Sequence, residues 1–297
     1  MTAYFVVFTV MKSLVIFGRV ELVVFWCGSV VLGLCAGMGL SAVIYLLPQR
    51  LHYRWLVASD QISPKDKRNY AYHLSLRGWL SVSCRGCLAV WYEASADKLP
   101  LLYFILGKGR CGGCRRKISF IPPFIETLTT LVTVLACWQH ASLNAIALTL
   151  LLSYILIMLM IIDFQRFILP DDLTLTLLWL GLLVNIDGHF ATLSDAVVGG
   201  AVGYLSLWCL YWLMKWLSAK EGLGYGDFKL FAALGACFGW QWLDKIAFGA
   251  SLLGLLHFLT IFLRRGKAAV AEPLPLGSYL CVTALLMLFY PALSIAS

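Results

Sequence analysis

The chain has 297 residues, of which 61% are hydrophobic and only 13% charged, with a formal net charge of +8. An ordinary soluble domain carries about 25% charged residues, so this composition excludes one and calls for burial in lipid. The positive charge does not indicate nucleic acid: 13 of the 23 Lys and Arg fall between residues 48 and 118, against four acidic residues there, which is the positive-inside bias of a cytoplasmic segment beside anionic lipid.

In chain order, residues 1–18 are apolar but carry Lys12, with Arg19 next and no small-residue cleavage site after them. They read as an N-terminal extension or interfacial segment rather than a removed signal peptide. Apolar runs then predict eight candidate spans, at 21–47, 119–138, 143–162, 172–186, 195–217, 228–241, 243–263 and 277–295. The predicted fold is all-α, a polytopic membrane helix bundle of about eight transmembrane helices with a small cytoplasmic zinc-binding domain. Its parts are 1–47 (N-terminal segment and first span), 48–118 (cytoplasmic) and 119–297 (membrane core). Counting spans puts every basic cluster on one side of the bilayer, together with Asp163 and Asp227.

The 48–118 segment is too small for a large core of its own. It holds Cys84-Arg-Gly-Cys87 and Cys111-Gly-Gly-Cys114, two CxxC knuckles with 23 residues between them. Two intervening residues let both thiolates of a knuckle turn toward one tetrahedral ion, so Cys84, Cys87, Cys111 and Cys114 are candidate ligands of a structural Zn2+. Two disulfides are the competing reading, disfavoured in a compartment that keeps thiols reduced. The six other cysteines, at 27, 35, 137, 209, 237 and 281, read as small core residues.

Glu126 enters the second span as an intramembrane acid, readable equally as an interfacial charge or as a functional group. Asp163 closes the run 150–162, and Asp227 follows alternate glycines in Gly222-Leu-Gly-Tyr-Gly-Asp227. Ionisable groups at membrane depth are functional candidates by default. Three alternate glycines predict an extended or closely approached backbone before Asp227, in a chain that tolerates irregular backbone at depth only where it lines a cavity. Asp171 and Asp172, after Pro170, suit an N-cap of the next span. Two carboxylates at span ends suggest an aspartyl dyad acting on one water.

These residues together resemble the type IV prepilin peptidases. The resemblance rests on Gly224-Tyr-Gly-Asp227, on Asp163 with Leu169-Pro170-Asp171, on the paired knuckles, and on the segments at 42–50, 99–114, 118–129 and 275–280. It implies a bacterial inner-membrane aspartic endopeptidase, active at the cytoplasmic face, with Asp163 and Asp227 as the catalytic pair. Its substrates would be prepilins or pseudopilins, cut after a glycine and then N-methylated using S-adenosylmethionine. The partners so implied are those substrates and the lipid bilayer, with no nucleic acid. The chain departs from the family pattern at the first knuckle (Ser83-Cys-Arg-Gly-Cys87), at Leu46 where arginine is expected, and at Thr130 where glycine is expected, all in the half associated with methylation. A peptidase without methyltransferase activity, a membrane transporter, or a zinc-stapled secretion scaffold are the alternatives.

Overall fold

The computed structural model describes residues 19–59, 82–83, 90–92, 101, 104–105, 108–110, 117, 119–218, 224–266 and 273–290. Among them the chain is almost entirely helical, with α1 (Arg19–Ala58), α2 (Ile121–Gln139), α3 (Leu143–Arg166), α4 (Asp171–Val184), α5 (Leu193–Ser218), α6 (Tyr225–Phe238), α7 (Leu243–Arg265) and α8 (Leu276–Leu288). Two short strands, β1 (Val82–Ser83) and β2 (Val90–Tyr92), pair antiparallel.

The eight helices coincide with the eight predicted apolar runs, and among the described residues they are of two lengths. Five helices are long and apolar enough to cross a membrane by length and composition. The other three, α4, α6 and α8, have 14, 14 and 13 residues. At 1.5 Å per residue each is about 20 Å long, short of a hydrocarbon core of about 30 Å. In α6 and α8 the apolar residues are mostly buried in protein, whereas α4 keeps Leu175, Trp179 and Leu183 exposed, and composition does not separate the two cases. The first predicted span also ends too early, because α1 continues through Pro48 to Ala58.

The molecule divides into two compact units, Met1–Ala42 with Ser75–Ala141, and Val43–Leu74 with Ser142–Ser297. In the first, α1 meets α2 through missing side chains. A Cβ on Gly33 would stand 2.5 Å from Thr130 Cα, and one on Gly37 2.6 Å from Glu126 Cα. Thr129 Oγ1 lies 3.0 Å from the Gly33 carbonyl across this seam. Small residues drive such contacts in lipid, where helix association depends on close packing and interhelical hydrogen bonds. The two knuckle sequences are each bracketed by antiparallel backbone pairing: Val82 with Tyr92 and Ser83 with Val90 around the first, and Arg110 with Lys117 around the second. The four knuckle cysteines themselves, like residues 1–18, lie outside the described residues.

The second unit is organised around α6. This helix packs against α4, α5, α7 and α8, while α3 packs against α8 and α4. From Phe228 onward nearly every α6 residue is buried, including Leu230, Leu234 and Phe238. Glycine again sets the closest approach, since a Cβ on Gly235 would fall 2.1 Å from the Gly199 carbonyl oxygen of α5. The far end of α6 is held by the fully buried Asn185. Its Nδ2 donates to the Ala236 and Cys237 carbonyls at 2.9 Å each, and its Oδ1 accepts from the Phe190 and Ala191 N–H groups at 3.0 Å each. Of the six unpaired cysteines read as core residues, Cys237 and Cys281 are buried, whereas Cys27, Cys35 and Cys209 are exposed on helix surfaces.

Candidate active site

Asp163 lies in the last turn of α3 and is buried. The turn after it is tight: Phe167 adopts the left-handed conformation at φ 54°, with its N–H on the Asp163 carbonyl at 2.8 Å. That reversal ends α3 immediately beyond the carboxylate and delivers Leu169 and Pro170 back toward it. Asp227 sits in the first turn of α6, three residues after the N-cap Gly224, and its Oδ2 accepts the Gly224 N–H at 3.3 Å. Of the two readings of the glycines, extended or closely approached backbone, Gly224 is extended and the helix begins at Tyr225, while Gly226 is the closely approached one.

The start of α8 joins the two acids. Ser278 gives Asp163 Oδ2 its backbone N–H at 2.6 Å and its hydroxyl at 2.8 Å. The same hydroxyl lies 3.0 Å from the Met160 carbonyl, so its one proton serves either acceptor. The preceding residue, Gly277, places its backbone near the Asp227 carboxylate. The free N–H groups of a helix N-terminus are a ready site for negative charge, and here that end of α8 faces both aspartates. The carboxylates are also close enough to repel one another electrostatically. Leu169 closes this corner: a Cβ on Gly226 would stand 3.0 Å from its Cβ, and a Cβ on Gly277 2.8 Å from its Cδ1.

Thus the structure brings Asp163 and Asp227, 64 positions apart in the chain, to one end of α8. Asp171 does not act as a cap. The N-cap of α4 is Pro170 with no side-chain hydrogen bond, and the Asp171 carboxylate instead receives Lys229 Nζ at 2.7 Å on both oxygens. This exposed ion pair ties α4 to α6 beside the acidic pair. Ser278, Gly277 and Lys229 escape a reading of the sequence by acid content. The signal available for the first two was Pro-Leu-Gly-Ser-Tyr at 275–279, a proline followed by residues suited to open a helix. Tyr279 hydrogen-bonds His257 Nδ1 through its hydroxyl, and the His257 ring stacks on Phe164 with centroids 6.4 Å apart. Glu126 belongs to the first unit. Among the described residues no cluster of three or more His, Cys, Asp or Glu is placed to hold a metal.

Residues 150–259 match the type IV leader peptidase family, and residues 31–140 match the bacterial peptidase A24 N-terminal domain. A prepilin leader peptidase/N-methyltransferase of Pectobacterium carotovorum subsp. carotovorum is 41% identical over 261 residues, covering 86% of this chain and 90% of that protein. The protein of the same description from Aeromonas salmonicida strain A449 is 38% identical over 264 residues, 86% and 88% of the two chains. One from Pseudomonas aeruginosa is 35% identical over 265 residues, 88% and 89%. No solved structure matches the chain.

Proposed function

The chain belongs to the type IV leader peptidase family, and on that premise we propose that it is a bacterial inner-membrane aspartic peptidase. It removes the basic leader of prepilins or pseudopilins at the cytoplasmic face and then N-methylates the new N-terminus. The observation that carries the proteolytic reading is the convergence of Asp163 and Asp227 at the N-terminal end of α8. Two carboxylates so close do not both ionise readily, so one holds a proton while the other is charged. The charged partner takes a proton from water, and the water oxygen attacks the scissile carbonyl. The protonated partner hydrogen-bonds the developing oxyanion, and collapse of the tetrahedral species delivers a proton to the leaving amine.

Residues 48–118 form the cytoplasmic domain of this reading, with Zn2+ held by Cys84, Cys87, Cys111 and Cys114. Four thiolates in two knuckles are a tetrahedral donor set suited to zinc, and antiparallel pairing on either side of each knuckle supports it. The ion's part is to staple a domain too small to hold itself together. Methyl transfer, with S-adenosylmethionine as donor, rests on the relatives being prepilin leader peptidase/N-methyltransferases by name, together with the match of 31–140 to the N-terminal domain.

The test is cleavage of a purified prepilin by wild type, Asp163→Asn and Asp227→Asn in detergent. Each substitution keeps side-chain shape and removes acid chemistry. Turnover is expected to fall roughly 100- to 10,000-fold in both, and wild-type turnover in either would remove the proteolytic assignment.

A further inference from the structure

Glu126 takes no part in the aspartate pair and is completely buried in the first unit, with 0% of its surface exposed. Its two oxygens differ. Oε2 accepts the Leu101 N–H at 2.7 Å, whereas Oε1, equally shut off from solvent, has no hydrogen-bond partner among the described residues. Ser41 Oγ, on α1, is also buried and without a partner among them. Gly33 lies against Thr130 and Gly37 against Glu126, an antiparallel register that carries Ser41, one turn beyond Gly37, to the turn of α2 preceding Glu126.

A carboxylate kept only for structure is satisfied on both oxygens, because an unmet acceptor in an apolar interior is costly. The open Oε1 together with an open hydroxyl fits a ligand that is positively charged and carries several N–H donors. A metal ion needs more ligands than these two oxygens. A primary ammonium matches both, and since the amino-acid end of the sulfonium donor carries one as well as the cleaved substrate, donor and acceptor are separated by the kinetics below.

We infer that Glu126 Oε1 and Ser41 Oγ receive the α-amino group of the cleaved substrate for methylation. This rests on the methyltransferase reading above. Glu126 Oε1 takes one proton from the α-ammonium, giving the neutral amine and a carboxylic acid. The nitrogen lone pair then forms a bond to the methyl carbon of a sulfonium donor. The carbon–sulfur bond breaks with its electrons left on sulfur as a thioether, and the product is a charged secondary ammonium.

Two measurements on full-length protein in detergent test this. The first is labelled methyl transfer to a pre-cleaved peptide with a free N-terminus, varying acceptor and sulfonium donor separately. Glu126→Gln is expected to lower kcat/KM for the acceptor roughly 100-fold or more while leaving the donor KM in place. An effect on the donor KM alone, or none on either, would overturn the proposal. The second compares binding of that peptide with its N-acetylated form. Wild type is expected to prefer the free amine by about 10-fold, a preference that Glu126→Gln abolishes; 10-fold corresponds to about 1.4 kcal/mol. Equal binding of both peptides to wild type would overturn the proposal. If wild type transfers no methyl group, the methyltransferase reading falls, and the binding comparison still decides whether Glu126 recognises the amine.

Discussion

Ser278 supplies two of the donors that hold Asp163, one from the main chain and one from the side chain. Ser278→Ala removes only the hydroxyl. A net hydrogen bond is worth about 1 kcal/mol, so leader cleavage should slow about fivefold, with the N–H still holding the carboxylate. Gly277→Ala should cost far more activity, since the new Cβ would meet Leu169 Cδ1 at 2.8 Å and Asp163 Oδ2 at 3.1 Å, pressing on the site from both sides. An initial-rate series on the two variants checks this order, and a Gly277→Ala enzyme faster than Ser278→Ala would contradict it. The dyad also fixes the form of the pH dependence. In the proposed mechanism activity requires one proton shared by the pair, so kcat/KM should fall at low pH, where both carboxyls are protonated, and at high pH, where both are ionised. Asp163→Asn has no shared proton to lose and should show no such bell in its residual rate. At this scale both acids were legible in the sequence because charge is conspicuous in an apolar chain. Ser278 and Gly277 were not, since the donors that matter are main-chain N–H groups whose value depends on where α8 begins.

Among the elements, α6 carries the largest structural demand, since it places Asp227 at one end and is buried along nearly all the rest. Its contact with α5 is backbone against backbone at Gly199 and Gly235. Gly235→Ala forces the helices apart, and a loss of about 1 to 3 kcal/mol should appear as a lower midpoint of thermal unfolding in detergent. Asn185→Leu strips four hydrogen bonds, two to the far end of the same helix and two to the loop before α5, and should destabilise by about as much or more, because buried carbonyls and N–H groups are left unpaired. The Asp171–Lys229 pair makes a useful contrast. With side chains 56% and 36% exposed, it is worth at most about 1 kcal/mol, so Lys229→Met should leave the unfolding midpoint nearly unchanged. A drop as large as that of Gly235→Ala would mean that the ion pair, rather than the glycine seam, secures α6 to its neighbours. Helix positions were legible from hydropathy because each apolar run is one helix. Helix lengths were not: α6 and α8 are apolar through burial, and hydropathy scores burial in protein and in lipid alike. The helical start of Tyr225 was hidden for a related reason, since glycine permits an extended backbone without requiring one.

For the whole molecule, the basic segment 48–118 predicts that cysteine-reactive probes reach its knuckles from the cytoplasmic side, and metal analysis should give one zinc per chain, lost in Cys84→Ser or Cys111→Ser. A folded, metal-free wild type would remove zinc from the account. The span count is a matter for labelling the loops between helices, where five full crossings and eight give different patterns of accessibility. The proposal that unites these parts is that Asp163 and Asp227, delivered by separate helices to the start of α8, act as one chemical unit. The most direct test is a double-mutant cycle on leader cleavage with Asp163→Asn, Asp227→Asn and both together. Groups that serve a single water are strongly non-additive, so the double variant should be no slower than the slower single one. Losses that multiply, or a single variant that keeps the wild-type rate, would contradict a shared dyad.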